Sequence, residues 1–170
     1  MVVVALVAAV IVILAVGATL PVEHVASASG VYARPPQEVW DAITGFERFP
    51  EWRTGIDRVE PRTFPDGASG WVEDGANGPI PLAIDAQEPL ERLELRIASD
   101  QLPFGGTWTY ELTPEGSGTR LRITEDGRVT NLLFRFMSRF VFGHTATMET
   151  YLTDLGAHFG EQTTPRVEGG

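Results

Sequence analysis

The chain has 170 residues, a formal net charge of −10 and no cysteine. Its acidic balance disfavours nucleic acid as a partner, because the neutralisation of phosphates requires clustered cations. The lack of cysteine excludes disulfides, thiolate catalysis and cysteine-based metal sites. Apolar residues make up 43% of the sequence, which predicts a single domain with a substantial core.

The first 22 residues carry no charged side chain, and residues 2–16 contain only Ala, Val, Ile and Leu. A helix of 22 residues would span about 33 Å, against roughly 30 Å of hydrocarbon in a bilayer. We therefore predict a transmembrane anchor at 1–22, with the membrane as a partner through residues 2–22 and a single-pass membrane localisation. The scarcity of charge leaves orientation poorly determined, with a weak preference for the domain outside the cytoplasm.

A cleaved signal peptide is the alternative interpretation of this apolar segment. Ala26-Ser27-Ala28 resembles a cleavage site. However, no Lys or Arg precedes the apolar run, and cleavage there would remove half of the first predicted strand. We therefore favour the uncleaved anchor.

The domain that follows begins with a strand and two short helical segments. Alternating residues predict a strand up to Tyr32, and its small side chains leave room for another element to pack on it. Pro36 suits the first turn of a helix that Gly45 ends. Residues 46–52 predict a second short helical turn.

Residues 56–129 alternate with period two between turns rich in Gly, Pro, Asn and Asp. The predicted strands are Ile56–Pro61, Ala68–Val72, Ile80–Ala86, Leu90–Ala98, Gly106–Thr113 and Thr119–Val129. Apolar and polar side chains separate onto opposite faces, as in an antiparallel sheet with one buried face. With the first strand, these segments predict a curved sheet of seven strands.

Residues 130–159 carry apolar side chains at three- and four-residue steps, which predicts one long amphipathic helix. Laid along the concave face of the curved sheet, this helix would enclose an apolar cavity. Residues 162–170 form a polar tail that we expect to be disordered. The predicted fold class is α+β, with a domain at 23–161.

Four motifs accompany this order of elements. They are Ala33-Arg34-Pro35-Pro36-Gln37-Glu38-Val39-Trp40, Phe46-Glu47-Arg48-Phe49-Pro50-Glu51-Trp52, Gly106-Thr107-Trp108-Thr109-Tyr110 and Phe142-Gly143-His144. Together they resemble the START-like helix-grip superfamily, specifically the SRPBCC group of polyketide cyclases/dehydrases and lipid-transport proteins, over roughly residues 24–161. The resemblance implies a helix-grip fold that binds a hydrophobic molecule between sheet and C-terminal helix. Only some members are enzymes, so the fold cannot decide between binding and catalysis.

Apolar and aromatic side chains that would line such a cavity form the predicted ligand-binding set. They are Trp52, Trp71, Phe104, Trp108, Tyr110, Phe136, Phe140, His144 and Met148. For any one of them, core packing is the simpler interpretation. His144 interrupts the apolar stripe of the long helix, so it is either a donor or acid/base aimed at a ligand, or a buried histidine with a structural partner.

The sequence predicts no catalytic set, no cofactor and no metal. His144 and His158 share a helix face but lie about 21 Å apart along it, too far to bind one ion. Two acidic pairs, Glu73-Asp74 and Glu125-Asp126, are each followed by glycine, and we interpret both as solvated.

We expect the protein to bind or transport a hydrophobic small molecule or lipid without chemistry. One alternative is a cyclase- or dehydratase-like enzyme acting on a polyketide-type substrate, with Tyr110, His144 and an inward-facing arginine as acid/base candidates. Another is a membrane-tethered interaction module that uses a surface containing Phe134 and Phe142.

Overall fold

A computed structural model describes residues 2–76, 78–137, 139–140, 143 and 145–168. The helices are α1 (Val2–Thr19), α2 (Pro36–Thr44), a 3₁₀ turn (Phe46–Arg48), α3 (Phe49–Trp52), α4 (Leu132–Met137) and α5 (Ala146–His158). The strands are β1 (Glu23–Tyr32), β2 (Ile56–Thr63), β3 (Ser69–Gly75), β4 (Ile80–Glu88), β5 (Arg92–Ile97), β6 (Phe104–Glu115), β7 (Gly118–Val129) and β8 (Arg166–Glu168).

The strands form one antiparallel sheet in the order β2-β3-β4-β5-β6-β7-β1-β8. Strands β2 to β7 follow one another as hairpins, and β1 closes against β7 along its whole length, from Glu23 opposite Arg128 to Tyr32 opposite Thr119. The α+β class and each of the seven predicted strands are confirmed. The observed strands differ from the predicted bounds by a few residues at their ends.

The predicted count of seven strands is wrong, because part of the predicted disordered tail forms β8. Residues 166–168 pair antiparallel with β1 at Ser27, Ala28 and Ser29. The Ser29 hydroxyl donates to Glu168 at 2.6 Å, and Arg122 forms an ion pair with the same carboxylate at 2.9 Å. A three-residue strand has too short a pattern to be recognised from alternation, so sequence analysis missed it.

One face of the sheet, which we call the inner face, carries the core and α5. Alternation places Ala26, Ala28 and Gly30 of β1 on this face, and their small side chains let α5 approach the strand closely. The Tyr32 hydroxyl donates to the carbonyl of Leu152 in α5 at 2.9 Å. This hydrogen bond fixes the helix on the sheet.

The predicted 30-residue helix is wrong, because the structure divides it into α4 and α5. Gly143 lies between them with a φ of +77°, a left-handed conformation that does not continue an α-helix. Helix α4 packs on α1, where Leu132 lies against Gly17 and Arg135 donates to the carbonyls of Gly17 and Leu20 at 3.4 and 3.3 Å. Of these two helices, α5 carries the buried side chains that pack on the inner face, and α4 has none.

The predicted transmembrane anchor at 1–22 and the membrane localisation are also wrong. Helix α1 ends at Thr19, and β1 begins four residues later at Glu23, so the helix has 18 residues and is about 27 Å long. Across the described part of the chain, no helix combines the length and hydropathy needed to cross a membrane.

Candidate functional site

The half of the inner face beneath α5 holds a buried ion pair surrounded by aromatic rings. Arg53, which follows α3, contacts Glu73 of β3 at 2.5 Å. Glu73 is only 6% exposed and also accepts a hydrogen bond from the Trp71 indole at 3.1 Å. The Arg53 guanidinium lies 4.7 Å from the ring centroids of both Phe49 and Tyr151. Burial lowers the pKa of Arg53, but the charge and hydrogen bond of Glu73, together with the nearby Tyr151 and Tyr110, more than offset this and raise the pKa above its ordinary value.

Two tyrosines extend this cluster towards the centre of the sheet. Tyr110 of β6 and Tyr151 of α5 have ring centroids 5.6 Å apart and are both buried. Burial raises the pKa of each phenol well above its ordinary value, so both stay protonated at neutral pH. Among the described residues the Tyr151 hydroxyl has no hydrogen-bond partner. The cluster therefore offers an unused buried hydroxyl next to a cation.

Beneath α5 the core is filled by the protein's own side chains. Leu93, Ile123, Met148 and Leu155 are each at most 2% exposed. A void of about 30 Å³ lies beside Trp71, which is enough for water but not for a lipid. The prediction of a large apolar cavity between sheet and helix does not hold for the part that α5 covers, because α5 packs directly on the inner face.

Beyond α5 the same inner face is less covered, and we call this part the open half. It comprises inner-face positions near one end of β4, β5, β6 and β7 that are all partly exposed: Leu82, Ile97, Phe104, Trp108 and Glu125. Along β6, exposure changes from partial at Trp108 to 5% at Tyr110. The boundary between the two halves therefore lies between these two aromatic residues, whose ring centroids are 6.1 Å apart.

The structure brings together some of the predicted ligand-binding residues and separates others. Trp108 and Tyr110 are adjacent on the inner face, and Phe104 lies on the same face of β6. Trp71 and Met148 are buried core residues, and Trp71 stacks on Phe46 at 4.2 Å. Their burial matches the simpler interpretation, in which they pack the core.

The other described positions of the predicted set make separate ring contacts. Trp52 packs against Tyr151, with ring centroids 5.4 Å apart. Phe136 and Phe140 contact each other at 5.0 Å, and Phe140 is 58% exposed. His144 and Phe142 lie outside the described residues.

Sequence analysis missed the roles of Arg53, Glu73 and Tyr151. Glu73 was interpreted as solvated, and that interpretation is wrong because the side chain is buried in the ion pair. The signal was present in the sequence: Glu73 follows Trp71 by two residues on a strand, which places both side chains on one face. The loop position of Arg53 gave no periodic pattern from which its inward orientation could be read.

This arrangement defines a START-like α+β fold: an antiparallel sheet with a C-terminal helix packed on its inner face. Residues 23–158 match the family described as polyketide cyclase / dehydrase and lipid transport. The chain belongs to this family, as its motifs predicted. No match to a curated protein sequence was found.

Solved structures support the same fold. A START superfamily protein from Mycobacterium smegmatis is 15% identical, with a TM-score of 0.62, over 79% of this chain and 96% of that one. Norcoclaurine synthase from Thalictrum flavum is 12% identical, with a TM-score of 0.61, over 83% and 88%. Protein Mll3558 from Rhizobium loti is 23% identical, with a TM-score of 0.57, over 78% and 96%. At these identities the similarity shows the fold alone.

Proposed function

We propose that the protein binds a hydrophobic small molecule on the open half of its inner face. The observation that carries this proposal is the partial exposure of Trp108 and its apolar neighbours beside a fully packed core. Partly exposed apolar side chains that group on one face of a sheet are typical of ligand sites. The bound molecule would lie along β6, with one end against Tyr110.

The test is to purify the chain, identify co-purifying molecules by native mass spectrometry and lipid extraction, and then compare two variants. Trp108→Ala removes the largest ring of the open half and is expected to reduce ligand occupancy about tenfold or more. Thr107→Ala is the matched control, because Thr107 is the preceding residue of β6 and faces the other side of the sheet. Equal occupancy in Trp108→Ala and Thr107→Ala would contradict the proposal.

A cyclase- or dehydratase-like enzyme is the second candidate, and the buried polar cluster favours it. Tyr110, Tyr151 and Arg53 converge at the boundary of the open half, which supplies two protonated phenols and a cation. Protonated phenols beside a cation can donate to a carbonyl oxygen and stabilise negative charge that develops on it. The inward arginine required by this hypothesis is Arg53.

The enzyme candidate is tested with Tyr151→Phe, which keeps the ring and removes the hydroxyl. If the hydroxyl acts on a substrate, turnover of polyketide-type carbonyl compounds should fall about 100-fold with little change in ligand affinity. If turnover is equal in Tyr151→Phe and in the unmodified chain, Tyr151 has no catalytic role.

A further inference from the structure

A cleft lies at the end of the open half, where α1, the start of β1 and the segment after β7 meet. Its volume is about 150 Å³. Residues 20–22 and Val129 supply apolar walls, and Arg135 and Arg139 supply two cations. The combination of an apolar wall with a pair of guanidinium groups sets this cleft apart from the packed core.

The two arginines lack anionic partners in the described part of the chain. Several arginines elsewhere form ion pairs, as Arg34 does with Glu161 at 2.9 Å. Arg135 instead donates to backbone carbonyls of Gly17, Leu20 and Thr130, and its buried Nε has no acceptor among the described residues. Arg139 is exposed and lies 6.0 Å from the Phe140 ring. The cleft therefore holds two cations without a carboxylate partner among the described residues, although the chain has a net charge of −10.

Glu23 is a carboxylate among the residues that line this cleft, and it forms no ion pair with Arg135 or Arg139 in the described part of the chain. Glu23 precedes His24 on β1, and alternation places their side chains on opposite faces. His24 is on the inner face, where its ring lies close to Gly127 and to Glu125, with which it makes a 3.5 Å contact. Glu23 is on the other face with Arg128, its cross-strand neighbour. The Glu23 carboxylate therefore neutralises little of the positive charge of Arg135 and Arg139.

The cleft is continuous with the open half along β6 and β7. Val129 lies opposite Phe104, and Gly127 lies opposite Gly106, one inner-face position before Trp108. From Val129 to Glu125, which lies opposite Trp108, the strand covers roughly 13 Å. The His24 ring covers Gly127, so the route from the cations to the aromatic surface runs along β6, from Phe104 opposite Val129 past Gly106 to Trp108.

We propose that the cleft binds the anionic head group of an amphipathic ligand whose apolar chain lies on the open half. The head group would be a carboxylate or phosphate, because guanidinium groups bind both through paired charge-assisted hydrogen bonds. This inference rests on the proposed function and narrows the ligand class to single-chain amphipathic anions.

The test uses the full chain and compares dodecanoate, dodecyl phosphate and uncharged dodecanol below their micellar concentrations, by isothermal titration calorimetry. Both anions are expected to bind at least tenfold more tightly than dodecanol, and the tighter of the two identifies the head group. Arg139→Gln should weaken anion binding about tenfold and leave dodecanol binding unchanged. Added salt should likewise weaken the binding of the two anions and leave the binding of dodecanol unchanged.

Arg128→Gln is the matched control, since it removes the same charge from the same end of the sheet but on the other face. It should leave the affinity of every probe unchanged. If the anions and dodecanol bind equally well, with no effect of Arg139→Gln or salt, the head-group site is wrong and the proposed function stands. If no probe binds, the proposed function is wrong, and the head-group site is wrong with it.

Discussion

At the scale of single residues, the buried pair of Arg53 and Glu73 makes the sharpest prediction. Glu73→Gln leaves the guanidinium of Arg53 buried without its counter-charge, and we expect a loss of about 3–5 kcal/mol in the free energy of unfolding. Urea denaturation measures this loss. Asp74→Asn is the control, because Asp74 pairs with Arg58 at a surface where their side chains are 39% and 62% exposed. That change should cost less than about 1 kcal/mol, and equal losses in the two variants would contradict the burial of Glu73.

The tyrosines predict how stability depends on alkaline pH. Burial raises the pKa of Tyr32, Tyr110 and Tyr151 in the folded state, whereas an unfolded tyrosine has a pKa of about 10. Above that pH the unfolded chain loses protons that the folded chain keeps, so stability is complete below pH 10 and falls as pH rises. The sequence has no Lys and no Cys, so other side chains contribute little between pH 9 and 11.

Tyr151→Phe isolates the contribution of one phenol. The fall in unfolding free energy above pH 10 should become shallower by up to about 1.4 kcal/mol per pH unit. At pH 7 the variant should be at least as stable as the unmodified chain, because the hydroxyl that it loses has no partner among the described residues. Denaturant titrations across this pH range measure both quantities, and an unchanged slope would contradict the buried position of the phenol.

At the scale of elements, the strands and a C-terminal helix were predictable, but the division of that helix into α4 and α5 was not. Leu93 and Leu95 alternate with charged neighbours, and this local pattern is sufficient to place a strand with one buried face. Helical periodicity also continues through residues 130–159, but it cannot show that the backbone turns at Gly143 or that α4 packs on α1. Those features depend on tertiary contacts, which override an uninterrupted apolar stripe.

Strand β8 makes a prediction at this scale. Glu168→Gln weakens the contact with the buried Ser29 and the ion pair with Arg122, and we expect a loss of about 1–2 kcal/mol in unfolding free energy. Val167→Thr is the control, because Val167 is 58% exposed and its replacement should change stability by less than about 0.5 kcal/mol. Thermal or urea unfolding distinguishes them, and identical stabilities would mean that β8 contributes little to closing the sheet edge.

At the scale of the whole molecule, the sequence led to the right family but not to the extent of the helix that covers the sheet. Motifs near α2 and β6 are local and match the family, so the sheet and its covering helix could be anticipated. How much of the sheet the helix covers could not be anticipated, because that depends on where α5 begins relative to the sheet. Tyr110 is buried against Tyr151 of α5, whereas Trp108 is partly exposed, so the accessible apolar surface lies beside the helix and not beneath it.

This division of the inner face predicts where a ligand stabilises the molecule. With free dodecanoate at 100 times its dissociation constant, the free energy of unfolding should rise by about 2.7 kcal/mol. At shorter exchange times, hydrogen exchange measured by mass spectrometry should show added protection at residues 104–109 and 124–129, which flank the open half. Residues 110–115 and 118–123, on the part of the sheet that α5 already covers, should change little. Uniform protection of both halves, or protection confined to the segment beneath α5, would place the ligand elsewhere and contradict the open half as its site.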